Sequence, residues 1–125
     1  MGIFDKFFPS DNFDQVGWKI LDSMEGLDMV LERSHEVPIV IFKHSISCGI
    51  SAMVKDQLFA SWDLKPEEVE FYYLDLITYR PVSNAIASRL GVVHQSPQVI
   101  LIKDGKSVTS DSHYSISVNN IKAAV

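Results

Sequence analysis

Apolar positions along this chain switch between helical spacing and continuous runs, and each switch marks an element. Gln15 to Lys19 reads as a short edge strand. Helical spacing then begins: Ile20, Met24, Leu27 and Leu31 fall at i, i+4, i+7 and i+11, with Asp22, Glu25, Asp28 and Glu32 on the other side. That pattern predicts a half-buried helix, ended by Arg33-Ser34-His35-Glu36. The next run, Pro38-Ile39-Val40-Ile41-Phe42, is short, β-branched and does not alternate. It is expected to be a strand buried on both faces, as in the centre of a parallel sheet.

A second helix is predicted from Ile50, Met53, Val54, Leu58 and Trp62 on one face, with Lys55, Asp56 and Ser61 facing out; it stops before Lys65-Pro66, because the residue ahead of a proline is pushed out of the helical region. Val69 to Ile77 is another apolar strand. Pro81 and Ser83 open a third helix with Ala85, Ile86 and Leu90 inward, and Gly91 is placed to cap it. Gln98 to Lys103 and Lys106 to Ser110 are strands joined by Asp104-Gly105, a favoured hairpin turn, so they must be antiparallel. A short closing helix is expected over Ser115 to Ala124, with Ile116 and Ile121 inward. The order implies an α/β, thioredoxin-like three-layer fold: a central mixed sheet of four to five strands flanked by helices. Open sheets of this kind bind ligands at the carboxyl ends of their central strands.

Length and composition narrow the class. With 125 residues, 46% of them hydrophobic and 22% charged, the chain suits one folded domain, read as a partly apolar lead over 1–14 and a domain over 15–125. A net charge of −5 without a dense run of Lys and Arg argues against nucleic-acid binding. A single cysteine cannot form an internal disulfide, which fits a reducing compartment. Asp5 and Lys6 interrupt the apolar cluster of Phe4, Phe7 and Phe8, as a signal peptide would not allow, and Lys6 stands where a myristoylation motif requires Ser or Thr. No apolar run reaches the roughly 18 residues needed to span a bilayer. A cytoplasmic protein with no membrane partner is expected, its Phe cluster packed on the domain's edge or frayed, with contact to a membrane or partner as the other reading.

The chemistry centres on that cysteine. Cys48 lies at a strand-to-helix turn, where the amides of the helix's first turn favour a thiolate. Its surroundings, Lys43, His44, Ser47, Gly49 and Ser51, are polar or small and suit a reactive sulfur better than a core residue. Ser51 occupies the place a Cys-X-X-Cys enzyme gives to its resolving cysteine, so the site is monothiol and an outside thiol must reset it. The Ser51 hydroxyl is either on the helix surface or bonded to the Cys48 sulfur; His44 either assists the thiolate or is a solvated loop residue. Ser96-Pro97, directly before a strand, is expected in such a layout to be cis and to face Cys48, with the Ser96 backbone open to an extended ligand and His94 and Gln95 lining the approach. His35, His44, His94 and His113 lack paired ligand spacing, so no metal site is expected.

Three stretches, PIVIFKHSISCGIS (38–51), YYLDLITYRPVSNAIASRLGVVHQSPQVILIKDGK (72–106) and SDSH (110–113), resemble the monothiol bacilliredoxins. The resemblance runs from Trp18 onward. It implies that Cys48 removes bacillithiol, a thiol co-substrate, from bacillithiolated client proteins, and that a second thiol or a recycling redoxin or reductase restores it, with no bound cofactor. Gly49 departs from the proline often found after the cysteine. Cys48-Gly49-Ile50-Ser51 is similar instead to the Cys-Gly-Phe-Ser site of monothiol glutaredoxins, which implies an alternative of iron-sulfur binding or transfer through Cys48. A non-catalytic redox-fold adaptor is a third reading, one that would survive loss of the thiol.

Overall fold

A computed structural model describes residues 13–125; the predicted edge packing of Phe4, Phe7 and Phe8 lies outside the described residues. Five strands, β1 (Trp18–Ile20), β2 (Ile39–His44), β3 (Glu70–Asp75), β4 (Gln98–Lys103) and β5 (Lys106–Ser112), form one sheet in the order β1-β3-β2-β4-β5. β1, β3 and β2 run parallel; β4 and β5 run antiparallel to their neighbours. This is the mixed, thioredoxin-like sheet expected from the order of elements.

Alternation along the central strands sends side chains to two cores. Val40, Phe42, Phe71, Val99 and Leu101 meet Val54 and Leu58 of α2 (Gly49–Ser61) and Val118 and Ile121 of α4 (Val118–Ala124). Ile39, Ile41, Leu74, Ile100 and Ile102 meet Leu27 and Val30 of α1 (Met24–Arg33) and Val82 and Ile86 of α3 (Arg80–Leu90). Each fully buried side chain of this size stabilises by about 1.5–3 kcal/mol, so the central strands are held firmly from both faces. Aromatic rings extend the first core: Trp18 stacks on Phe71 at 3.9 Å and Phe13 lies 5.3 Å from Trp18.

Several boundaries and faces differ from the sequence reading. Phe13–Val16 forms a 3-10 turn and Gly17, at φ 76°, leads into β1, so the edge strand starts at Trp18. Ile20 ends that strand, largely exposed, instead of opening α1. The helix begins at Met24 behind Ser23, whose Oγ accepts from the Gly26 amide at 2.9 Å, and its innermost residues are Leu27 and Val30, with Leu31 half-buried. In α2 the buried face is Ser51, Val54, Lys55 and Leu58, while Ile50 and Met53 face solvent. Lys55 was expected outside. Hydrogen bonds from Ser51 to the end of β2 turn the helix by part of a turn and explain the change. Gly91 caps α3 at φ 65°, as predicted.

Candidate functional site

β2 lies between β3 and β4, and its antiparallel pairing with β4 brings its C-terminal end beside the start of β4. The loop to Cys48 therefore leaves the same end of the sheet that the Ser96-Pro97 segment enters. The Ser96-Pro97 bond is cis, as expected. Cys48 is half-buried and serves as the residue ahead of α2, with extended dihedrals of −112° and 121°. Its amide donates to the Ser45 carbonyl at 3.2 Å and its carbonyl accepts from Ala52 at 3.1 Å. That tethers the cysteine at both sides, at the N-terminus of a helix whose first-turn amides have no partner within the helix.

Lys43 and His44 do not form a polar approach to the cysteine. Both are buried strand residues pointing to opposite faces. His44 lies on the α2 side, its Nδ1 2.6 Å from Ser51 Oγ and its ring 5.4 Å from Tyr73. Burial, then the nearby Lys55 charge, lowers its pKa to about 4, so the imidazole is neutral at pH 7. Ser51 is wholly buried, and its Oγ also accepts the Ser45 amide at 3.0 Å. It is thus not a surface serine: with His44 and the Ser45 amide as its partners, it locks the start of α2 onto the end of β2. Gly49 is exposed, and a Cβ there would meet nothing within 4 Å. Its lack of a side chain is not imposed by packing.

Lys43 lies on the α1/α3 side. Its Nζ donates to the Ser83 carbonyl at 3.1 Å and lies 3.2 Å from His94 Nδ1. Burial, then the Arg80 charge, lowers its pKa to about 8. Burial and the Lys43 and Arg80 charges push the His94 pKa down as well, leaving a neutral ring that accepts from the ammonium. Gln95 is exposed, with its amide donating to Gln98 Oε1 at 3.4 Å; Ser96 is half-buried, with its Oγ enclosed and unpaired among the described residues; Pro97 is buried. Ser47 is exposed and lies 3.4 Å, oxygen to oxygen, from Ser45.

Three features escaped the sequence reading. Ser45 ties the turn together. Gln98, at the start of β4, holds the preceding loop through Nε2 to the Val93 carbonyl at 3.0 Å; a polar residue directly ahead of the apolar run Val99 to Ile102 was the available signal. Ile46, Ile50 and Met53, in the turn before α2 and in its first two turns, are apolar yet exposed, legible only once the helix's orientation is known. Among the described residues no group of His, Cys, Asp and Glu is arranged to hold a metal ion, and no helix is long and apolar enough to cross a membrane.

Comparison with known proteins agrees with this geometry. A solved protein described by its thioredoxin fold is 29% identical, with a TM-score of 0.77, over 91% of this chain and 98% of that chain. The thioredoxin of Fasciola hepatica (22% identical, TM-score 0.64, 84% of this chain and 93% of that one) and thioredoxin O2 of Arabidopsis thaliana (20%, 0.66, 87% and 91%) share the fold. The family model for the monothiol bacilliredoxin BrxC matches residues 19–121. With one cysteine, half-buried at the head of a helix on this fold, the chain belongs to the monothiol bacilliredoxin family of thiol-disulfide oxidoreductases.

Proposed function

We propose that this protein removes a low-molecular-weight thiol, bacillithiol by its family, from mixed disulfides on client proteins in the cytoplasm. The Cys48 thiolate attacks the sulfur of the small thiol. A new disulfide forms between Cys48 and that thiol, the old one breaks, and the client sulfur leaves as a thiolate that takes up a proton. A second small thiol, or a redoxin or reductase, then attacks the Cys48 adduct and returns the thiolate. The exchange conserves disulfides, and with one cysteine no internal bridge completes it.

The observation that carries this reading is the half-buried thiol at the head of α2, tethered through Ser45 and Ala52. In this scheme Ser51 and His44 hold the first turn of α2, Ser47 and Gly49 leave the sulfur accessible, and His94, Gln95, Ser96 and Pro97 form the wall along which the disulfide lies. Lys43 supports that wall.

Mixing the protein with a bacillithiolated client and following both masses tests the proposal. The adduct is expected on Cys48 and the client is expected to regain its free thiol, while Cys48→Ser abolishes the transfer. A client that keeps its adduct in the presence of the reduced protein sinks the reading. Colour after anaerobic purification would point instead to iron-sulfur binding.

A further inference from the structure

Lys43 has no exposed surface, and no ion pair among the described residues includes it. A buried ammonium without a carboxylate is costly to desolvate, and Arg80 adds a like charge nearby. A Met of similar length would fill the same space without that cost. What the ammonium secures is specific: the Ser83 carbonyl on α3 and His94 Nδ1 in the loop ahead of Pro97. Gln98 is its register partner on β4 and equally buried. That side chain takes the two positions flanking His94, donating to the Val93 carbonyl and accepting from the Gln95 amide. Two neighbouring polar side chains thus grip three successive residues that run directly into Ser96-Pro97.

Resting on the oxidoreductase reading above, we propose that Lys43 is a positioning residue for the substrate wall: through His94, and together with Gln98, it presets the loop that meets the mixed disulfide. It does not act on the thiol. Lys43 points to the face covered by α1 and α3, whereas α2, headed by Cys48, covers the other. The loop is held before substrate arrives, so binding does not have to order it.

The test is Lys43→Met, assayed four ways. The melting temperature is expected to stay level or rise, because an uncompensated buried charge is gone. Transfer from a bacillithiolated client is expected to slow by about tenfold, within the range for a misplaced binding element. Alkylation of Cys48 by iodoacetamide, which needs no wall, keeps its rate and pH profile, and hydrogen exchange at the Val93–Gln95 amides quickens. His94→Ala, a change at a partly exposed loop residue, reproduces the transfer loss, and the double variant is no slower than either single one. A Lys43→Met protein that melts lower, transfers as fast as the parent, or leaves loop exchange unchanged overturns the proposal. A parent protein that transfers nothing overturns the oxidoreductase reading, while loop exchange and melting still decide whether Lys43 positions the loop.

Discussion

Ser51 shows how a single hydroxyl can organise a reactive turn. Its Oγ takes the Ser45 amide and pairs with His44 Nδ1, both inside the protein. Removing it leaves a buried amide and a buried imidazole nitrogen without that partner, at a cost of about 1–3 kcal/mol. Ser51→Ala is therefore expected to lower the urea midpoint by that free energy with an unchanged m-value. Ser47→Ala, at an exposed position on the same turn, is expected to stay within about 0.5 kcal/mol of the parent. Equal midpoints for the two variants would remove Ser51 from its locking role. The sequence marked Ser51 by its spacing from Cys48, but its partner was out of reach of spacing: His44 meets it only because β2 runs on to residue 44 and the last side chain turns toward α2.

The glycine-capped end of α3 was more readable than helix starts or helix faces. Gly91 announced the end of α3 because only a residue without Cβ adopts a left-handed cap at little cost. Its φ of 65° is in that region, and a Cβ there would meet nothing within 4 Å. Gly91→Ala is thus a purely conformational change, expected to destabilise by about 1 kcal/mol. Gly49 has equally open space but lies in the first turn of α2, outside the left-handed region. Gly49→Ala is expected to stabilise by about 0.5 kcal/mol, by reducing the freedom of the unfolded chain. Denaturant titration of both variants checks the opposite signs. The buried faces of α1 and α2 were harder to read. Apolar spacing counted Ile20 into a helix although it ends a strand, and it put Met53 inside and Lys55 outside because it could not know that Ser51 turns inward. Where polar contacts orient a helix, hydrophobic periodicity alone gives the wrong phase.

Across the whole molecule, the pairing of strands was readable because continuous apolar runs, the Asp104-Gly105 turn and the spacing between runs leave few arrangements. A parallel core with the β4–β5 hairpin on its flank follows from them, while the order β1-β3-β2 comes from the structure. Hidden from the sequence was that Lys43 and His44, adjacent in the chain, serve opposite layers as buried bases. The pH dependence of stability follows from this. Burial holds both groups below their ordinary values, Lys43 at about 8 rather than 10.5 and His44 at about 4 rather than 6.5. Between each pair of values the unfolded chain binds more protons than the native one, so stability rises with pH through each window. The His44 contribution is complete above pH 6.5 and is lost as pH falls towards 4; the Lys43 contribution is complete only above 10.5 and is absent below 8. Each window has a ceiling of about 3 kcal/mol, reduced by any relaxation of the site. Subtracting the stability curve of Lys43→Met from that of the parent isolates the upper window, and His44→Gln does the same for the lower. The parent should gain on Lys43→Met from pH 8 to 10.5, and on His44→Gln from pH 4 to 6.5. A flat difference in either window would mean that the corresponding base is not held below its ordinary pKa in the folded protein.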